Sequence, residues 1–415
     1  MFIGAIADDL TGATDLSLTL AREGLKVLQV VGVPADDLDF GDAQAVVVSL
    51  KSRTIPAREA VEMSLAAARV LQARGTQQFL FKYCSTFDST DQGNIGPVAD
   101  ALMAFLGTDR TIACSAFPTT GRTIYRGHLF VGDLLLSDSS MKDHPLTPMR
   151  DANLVRVLGR QSRNTVGLIP REVVASGEAA LKKALDELTG IAIVDAIDDA
   201  DLRTIGRAAR GMKLITGGSG IALGLPANFQ SAIGSAATAP LPVPPGRAVL
   251  LAGSCSTATR RQVAVAIEAG VPALKLDAIA ISDGRVTVAQ VLNFILENAG
   301  ELPSLIWSSA DPDEVKAAQD HLGRDRAGAL VEAFMADLAE SLAGIGFNRF
   351  IVAGGETSGA VVTRLGVPAL EIGPEIDPGV PWTRSRGAKA PLALALKSGN
   401  FGTDDFFLKA WRMLP

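Results

Sequence analysis

Cysteine and histidine are scarce in this 415-residue chain: Cys84, Cys114, Cys255 and His128, His144, His321, all far apart. An odd, scattered set of cysteines offers neither a disulfide framework nor a CxxC metal site. Three dispersed histidines exclude a histidine-based metal centre, so any metal should be a hard, oxygen-liganded ion such as Mg²⁺, held partly by substrate phosphates. Excess positive charge is also missing, and a net charge of -6 leaves no electrostatic footprint for nucleic acid. No apolar run approaches a membrane span, and Met1 leads straight into an apolar stretch without a basic segment. A cytoplasmic protein that binds neither membrane nor nucleic acid is therefore expected. The chain lacks GxxxxGK[ST], which excludes a Walker phosphate loop, and has no strand-led GxGxxG for a dinucleotide. GxSxG and a protease-like cysteine context are absent as well.

What remains is globular, with 47% apolar, 20% charged and only 5% aromatic residues. Abundant alanine, leucine, valine and glycine suit packed parallel α/β layers, and the length suggests two domains. The opening stretch FIGAIADDLTGATD (2–15) reads as a buried strand that stops at Asp8 and Asp9, a polar turn, and a helix. In parallel α/β sheets the ligand crevice lies beyond the carboxyl ends of the strands, so both acids are expected at its rim. The competing role for either is a helix cap, and Asp9 is the expected cap.

Strands are expected over 2–7, 26–33, 45–50, 78–83, 110–115, 165–169, 191–194 and 212–216, with alternation resuming at 153–158. Helices are expected over 56–74, 97–106, 178–189 and 199–210. The strand ends are polar: KSRT (51–54) contains Arg53, and CSTFDSTDQGNIG (84–96) contains Ser85, Thr86 and Asp88. Residues 117–149 form a long polar excursion, expected to be a functional lid or hairpin rather than disorder. Segment 236–247 carries Pro240, Pro242, Pro244 and Pro245 and reads as a semi-rigid linker between domains 1–235 and 248–415. Beyond it, strands are expected over 248–251, 273–276, 304–308, 349–352, 370–372 and 393–396. Helices are expected over 258–269, 288–298 and 327–342, with a loop over 373–384. The fold class is α/β: two domains with mainly parallel sheets.

Two constellations carry chemistry. In the second domain three strand-end turns are rich in glycine and serine, at 252–257, 353–359 and 397–402. Side-chain-free amides beside helix starts suit an anionic ligand. In the first domain, Arg122 and Lys82 could hold a carboxylate, while Asp8, Asp9 and Asp88 could accept hydroxyl protons, which suits a small polyhydroxy acid. Lys82 has a competing reading as a solvated surface lysine.

Ordered motifs then carry a resemblance: IADDLTGATD (6–15), FKYCSTFDSTDQGNIG (81–96), FPTTGRTIYRGHLFVGD (117–133), DSSMKDHPLTPM (138–149), TGGSG (216–220), AGSCS (252–256), AGGETSG (353–359) and EIDPGVPW (375–382). The sequence resembles the four-carbon acid sugar kinases over nearly its whole length. YCSTFDST and MKDHPLTPM are most similar to the branch acting on 3-oxo-tetronate. The resemblance implies an N-terminal sugar-acid domain, a C-terminal ATP domain, and γ-phosphoryl transfer to the terminal, 4-hydroxyl of a four-carbon acid. It places nucleotide contacts on Ser256, on Gly355, Glu356, Thr357 and Ser358, and on Gly399, with Ser254 and Gly354 as neighbours. Within that N-terminal domain the sugar acid is expected against Arg53, Lys82, Ser85, Thr86, Asp88 and Arg122. The mechanism then expected has Asp8 or Asp9 activating the hydroxyl and Mg²⁺ bridging the phosphates with help from Glu356. Threonate or erythronate is the alternative acceptor. From other classes, an aldolase or dehydratase using Lys82 and a non-catalytic sugar-acid sensor compete. A homodimer is expected only because two-fold symmetry is common.

Overall fold

The computed structural model describes residues 1–144, 146–232, 241–308 and 312–414. Chain contacts divide it into two compact units, Met1–Ala239 and Pro240–Pro415. The expected linker, 236–247, falls in part on residues outside the described set. Among the described residues no helix is long and apolar enough to cross a membrane.

In the first unit the strands are β1 (Ile3–Ala7), β2 (Val27–Val31), β3 (Ala45–Ser49), β4 (Gln78–Lys82), β5 (Arg110–Cys114), β6 (Arg122–Tyr125), β7 (His128–Val131), β8 (Leu134–Leu135), β9 (Val166–Ile169), β10 (Gly190–Val194) and β11 (Leu214–Gly217). The main sheet runs β2–β3–β1–β4–β11–β5–β10–β9, and its pairings are parallel. A strand covered on both faces reads as one apolar run, and IGAIA of β1 is buried throughout. Register decides what stands beside Asp8. Ala7 pairs with Ser49 on one side and Lys82 on the other, so three chains leave the sheet at one level. The Asp8 amide donates to the Lys82 carbonyl (3.1 Å), and the Asp8 carbonyl accepts from the Ser52 amide (3.0 Å).

Within the polar excursion, residues 122–135 form a three-stranded antiparallel sheet, β6–β7–β8. Its first turn is Arg126-Gly127, with φ of 52° and 72°, the left-handed pair a two-residue hairpin requires. The alternation expected at 153–158 is corrected: Leu154–Gln161 is a helix. Asn153 Oδ1 accepts from the Arg156 amide (3.0 Å) as an N-cap, and Leu154, Val157 and Leu158 are buried at helical spacing.

The second unit contains β12 (Arg247–Ala252), β13 (Ala273–Lys275), β14 (Leu305–Trp307), β15 (Phe347–Ala353), β16 (Ala369–Asp377), β17 (Val380–Arg386) and β18 (Ala393–Lys397). Their order is β13–β14–β12–β15–β18–β17–β16, parallel as far as β18 and antiparallel beyond it. The loop expected over 373–384 is corrected to the hairpin of β16 and β17. Pro374 and Pro381 argue against strand locally, but register shifts at Ile372/Glu375 and Glu375/Asp377 accommodate them. Trp382 of this hairpin is fully buried and donates from Nε1 to the Ala410 carbonyl (2.9 Å). Cutting it to alanine removes one of the largest side chains of this core.

Candidate active site

One guanidinium organises the carboxyl edge of the first sheet. Arg53 Nε donates to Asp8 Oδ2 (2.9 Å), and Arg53 Nη2 donates to Asp8 Oδ1 (2.8 Å), a bidentate pair. Nη2 also lies 2.7 Å from Asp9 Oδ1, and Nη1 lies 3.9 Å from Asp88 Oδ2. Acids from two strand ends thus converge on an arginine from a third. The Nη2 contact to Asp9 is an ion pair without hydrogen-bond alignment, so Asp9 Oδ1 is a buried oxygen held chiefly by the charges of Arg53 and Lys82.

The two adjacent acids are driven apart in acidity. Asp8 is 6% exposed, and burial pushes its carboxyl up despite Arg53. Burial also acts on Asp9, but the charges of Arg53 and Lys82 and the Thr11 hydroxyl outweigh it and hold Asp9 down at about 2. The expectation that Asp9 caps the next helix needs correcting. Asp9 occupies the N-cap position of Leu10–Arg22 with extended backbone, yet its side chain makes no capping hydrogen bond. It accepts instead from Thr11 Oγ1 (3.1 Å) and faces the two cations.

Lys82 is 4% exposed, so the solvated-surface reading is also corrected. Its Nζ stands 3.7 Å from Asp9 Oδ1, beneath Gly12, where an added Cβ would lie 2.0 Å from Nζ. Enclosure between Gly12 and Asp9 suits a fixed cation and leaves little approach for the carbonyl carbon of an imine-forming substrate. Asp15, one helical turn on, is a buried acid that sequence reasoning missed; burial raises it and Lys82 acts against that.

The 84–96 segment is strained where it meets this cluster. Phe87 and Asp88 both have positive φ, 67° and 45°, rare for residues with side chains and enriched at functional sites. Phe87 packs edge-on against Tyr83, and Thr86 Oγ1 donates to Asp88 Oδ1 (2.7 Å), which fixes the turn. Ser85 is half-buried beside them. Burial pushes the Cys84 thiol up to about 12, so it is no nucleophile. Asn94 is a second residue missed from sequence. Its Nδ2 donates to the carbonyls of Ser52 (2.7 Å), Arg53 (3.2 Å) and Ile55 (2.9 Å), fixing the segment that carries Arg53. An asparagine just before a helix was the available signal, but it pointed to a cap that this side chain does not make. Asp8, Ser52, Arg53, Asp88 and Asn94 share one small pocket. Arg122 stands outside these hydrogen bonds: its Nη1 donates to the Thr120 carbonyl, and its Nε is buried without a partner.

In the second unit the three glycine-serine turns meet. β12, β15 and β18 are neighbours, so their carboxyl ends coincide. The Gly253 amide donates to the Ala353 carbonyl (2.9 Å), and the Gly354 amide to the Lys397 carbonyl (2.8 Å). Ser256 Oγ donates to the Gly399 carbonyl (2.6 Å) while accepting from the Thr259 amide (3.1 Å) as N-cap of the helix Thr257–Glu268. Close approach requires glycine here: a Cβ on Gly399 would sit 2.4 Å from Ser254 Oγ, and one on Gly253 would sit 2.1 Å from Thr357 Oγ1. Gly354, at φ 123°, turns the chain into the helix Gly355–Arg364. Two helix N-termini therefore open beside a ring of small residues, a site for phosphate groups. Gly355 is half-buried and Glu356 exposed there, whereas Ser358 is buried and directs its hydroxyl to the Val352 carbonyl (3.3 Å).

Among the described residues no three His, Cys, Asp or Glu side chains form a metal cage. Exposed Glu356 in the first turn beside the phosphate site is the kind of single oxygen ligand that Mg²⁺ takes when phosphates supply the rest.

Comparison with known proteins agrees with this division. Residues 3–225 match a family model described as a sugar-binding N-terminal domain, and residues 249–407 match a nucleotide-binding C-terminal domain. A relative from Cupriavidus necator named 3-oxo-tetronate kinase is 56% identical, over 99% of this chain and 97% of its own. Relatives of the same name from Burkholderia multivorans and Pseudomonas fluorescens are 55% and 54% identical, over 99% and 98% of this chain and 97% and 96% of theirs. A crystal structure from Salmonella typhimurium superposes with a TM-score of 0.88 at 43% identity, covering 100% of this chain and 99% of the other. One from Haemophilus influenzae gives 0.81 at 41%, covering 99% and 100%. Matched in both halves and along nearly its whole length, the chain belongs to the four-carbon acid sugar kinase family.

Proposed function

We propose that this protein is an ATP-dependent kinase that transfers the γ-phosphoryl group to the 4-hydroxyl of 3-oxo-tetronate. The geometric observation that carries the reading is the meeting of three glycine-serine turns at two helix N-termini in the nucleotide-binding unit. The substrate follows from the name shared by the full-length relatives. ATP is assigned to Ser254, Ser256, Gly354, Gly355, Glu356, Thr357, Ser358 and Gly399. The sugar acid is assigned to Arg53, Lys82, Ser85, Thr86, Asp88 and Arg122, where the buried, unpartnered Nε of Arg122 supports a carboxylate contact. Residues 236–247 remain the linker in this reading, and the cytoplasm, where ATP is available, the compartment.

Phosphoryl transfer asks the protein mainly for positioning and charge balance. Asp8 is the base of the pair: its raised pKa brings its proton affinity nearer neutrality, whereas Asp9, at about 2, binds a proton too weakly. Arg53 steers Asp8 and Lys82 steers Asp9, so the hydroxyl meets a fixed carboxylate. Mg²⁺, when bound with ATP, neutralises the charge on the phosphates, and Glu356 would be its protein ligand.

Incubation with ATP, Mg²⁺ and a panel of four-carbon acids should form ADP fastest with 3-oxo-tetronate, ahead of threonate and erythronate. Folded protein that forms no ADP with any of the acids would sink the kinase reading, and threonate in first place would move the acceptor. The kinase is proposed to act as a homodimer, and light scattering of the purified protein decides it.

Gly12→Ala probes the Lys82–Asp9 pair. The new Cβ would fall 2.0 Å from Lys82 Nζ and 2.2 Å from Asp9 Oδ1, forcing the two apart. Turnover should drop by up to about 10²-fold, the cost of displacing a catalytic constellation by an ångström, with ATP KM unchanged. Wild-type kcat in this variant would mean that the pair is dispensable.

A further inference from the structure

Lys397 ends β18 and is fully buried (0% exposed), an unusual place for a lysine. Its Nζ donates to Thr259 Oγ1 (3.0 Å) and to the carbonyls of Ser398 (3.0 Å) and Gly399 (2.9 Å). An ammonium has three N–H donors, and three acceptors surround this one. The Gly399 carbonyl also accepts from Ser256 Oγ (2.6 Å) and Thr259 Oγ1 (2.9 Å), so the turn and the start of the helix Thr257–Glu268 are tied at one oxygen.

A trans peptide sets its N–H opposite its C=O. Carbonyls of Ser398 and Gly399 drawn inward to Nζ therefore send the amides of Gly399 and Asn400 outward, away from the core. Two successive outward amides form an anion-binding concavity.

We propose that Lys397 is a positioning residue for the nucleotide, its ammonium pinning the 397–400 turn so that the Gly399 and Asn400 amides face the anionic groups of the bound nucleotide. The inference rests on the kinase reading and adds to it a residue that touches no ligand. Few charges support the ammonium. Asp377 on β16 acts on it but is committed to Lys409 and to the Thr403 amide (2.9 Å), and Glu356 lies in an exposed turn. Burial lowers Lys397 to about 7, so the clamp loses its third donor as the pH climbs through neutrality.

The test measures ADP binding by calorimetry and ATP KM against kcat, for wild type and Lys397→Met, on both sides of neutrality. Lys397→Met should weaken ADP and raise ATP KM by about 10–100-fold, the worth of hydrogen bonds to a charged group, with kcat and the acceptor KM much less affected. Wild type should bind ADP more weakly above neutrality, and Lys397→Met should lose that dependence. The ligand's own last phosphate ionisation, at about pH 6 for a monoester, works in the opposite direction. Wild-type ADP affinity in folded Lys397→Met overturns the inference. Should that variant not fold, wild-type binding that fails to weaken above neutrality overturns it. Wild type that binds no ADP at all refutes the kinase reading itself.

Discussion

Asp8→Asn should lower kcat by about 10²–10⁴-fold, the usual worth of a general base, and leave ATP KM unchanged. Asparagine keeps the volume and one carbonyl acceptor for Arg53, so the pocket should persist without a group able to take the proton. The nucleotide turns belong to the other unit. The pH profile is the sharper readout. Asp8 works as a base only when ionised, so wild-type kcat should fall as the pH drops through its carboxyl titration. Because burial raises that titration above the ordinary carboxylate range, the acid limb should appear at higher pH than a free aspartate would give. In Asp8→Asn the limb should vanish. Near-normal turnover, or an unchanged acid limb, would take the base role from Asp8 and leave Asp9 Oδ1, the buried unsatisfied oxygen, as the remaining candidate.

Arg53→Met should cost stability as well as activity. The arginine faces Asp8 at 2.8 Å, Asp9 at 2.7 Å and Asp88 at 3.9 Å, and its removal leaves buried carboxylates without their main cation. Breaking one side of a buried pair costs about 3–5 kcal/mol; Lys82 still faces Asp9, and Arg53 is partly solvated, so the lower end is expected. The sign of the pH dependence follows. In wild type Asp9 titrates at about 2, below its ordinary 3.8, so its contribution is present above that ordinary value and is lost as the pH falls through about 2. Without Arg53, buried Asp8 and Asp9 should titrate above their unfolded values. The penalty is then full at neutral pH and shrinks as acidification protonates them. Urea unfolding at neutral and mildly acidic pH measures the gap. A variant as stable as wild type at neutral pH would show that the three acids do not depend on Arg53.

Parts of the protein are legible in the sequence for physical reasons. β1 and its parallel neighbours are short apolar runs ending in polar residues, a pattern set by burial on both faces. The glycine-serine turns were legible for a similar reason, since freedom at φ and the absence of Cβ belong to the residue itself. The acid pair was legible as a strand end, but its division of labour was not. Asp9 has the local grammar of a cap, and only Arg53 and Lys82, brought alongside by the β3–β1–β4 register, turn its carboxylate away. For the same reason the choice between a carboxylate-holding and a solvated Lys82 stayed open in the sequence. The β16–β17 hairpin was hidden by its prolines, whose effect on a strand depends on where register shifts are allowed.

By itself, then, the sequence determined the α/β class, most strand ends, the three turns and the family, all of which rest on local pattern or ordered motifs. Tertiary structure decided which charges meet. It bound Arg53 to acids from other strand ends, buried Lys82 against Asp9, and gave Lys397 three acceptors from two elements. The physical reason is that an ionisable side chain takes its state from partners and burial, and those are fixed by register between strands distant in sequence.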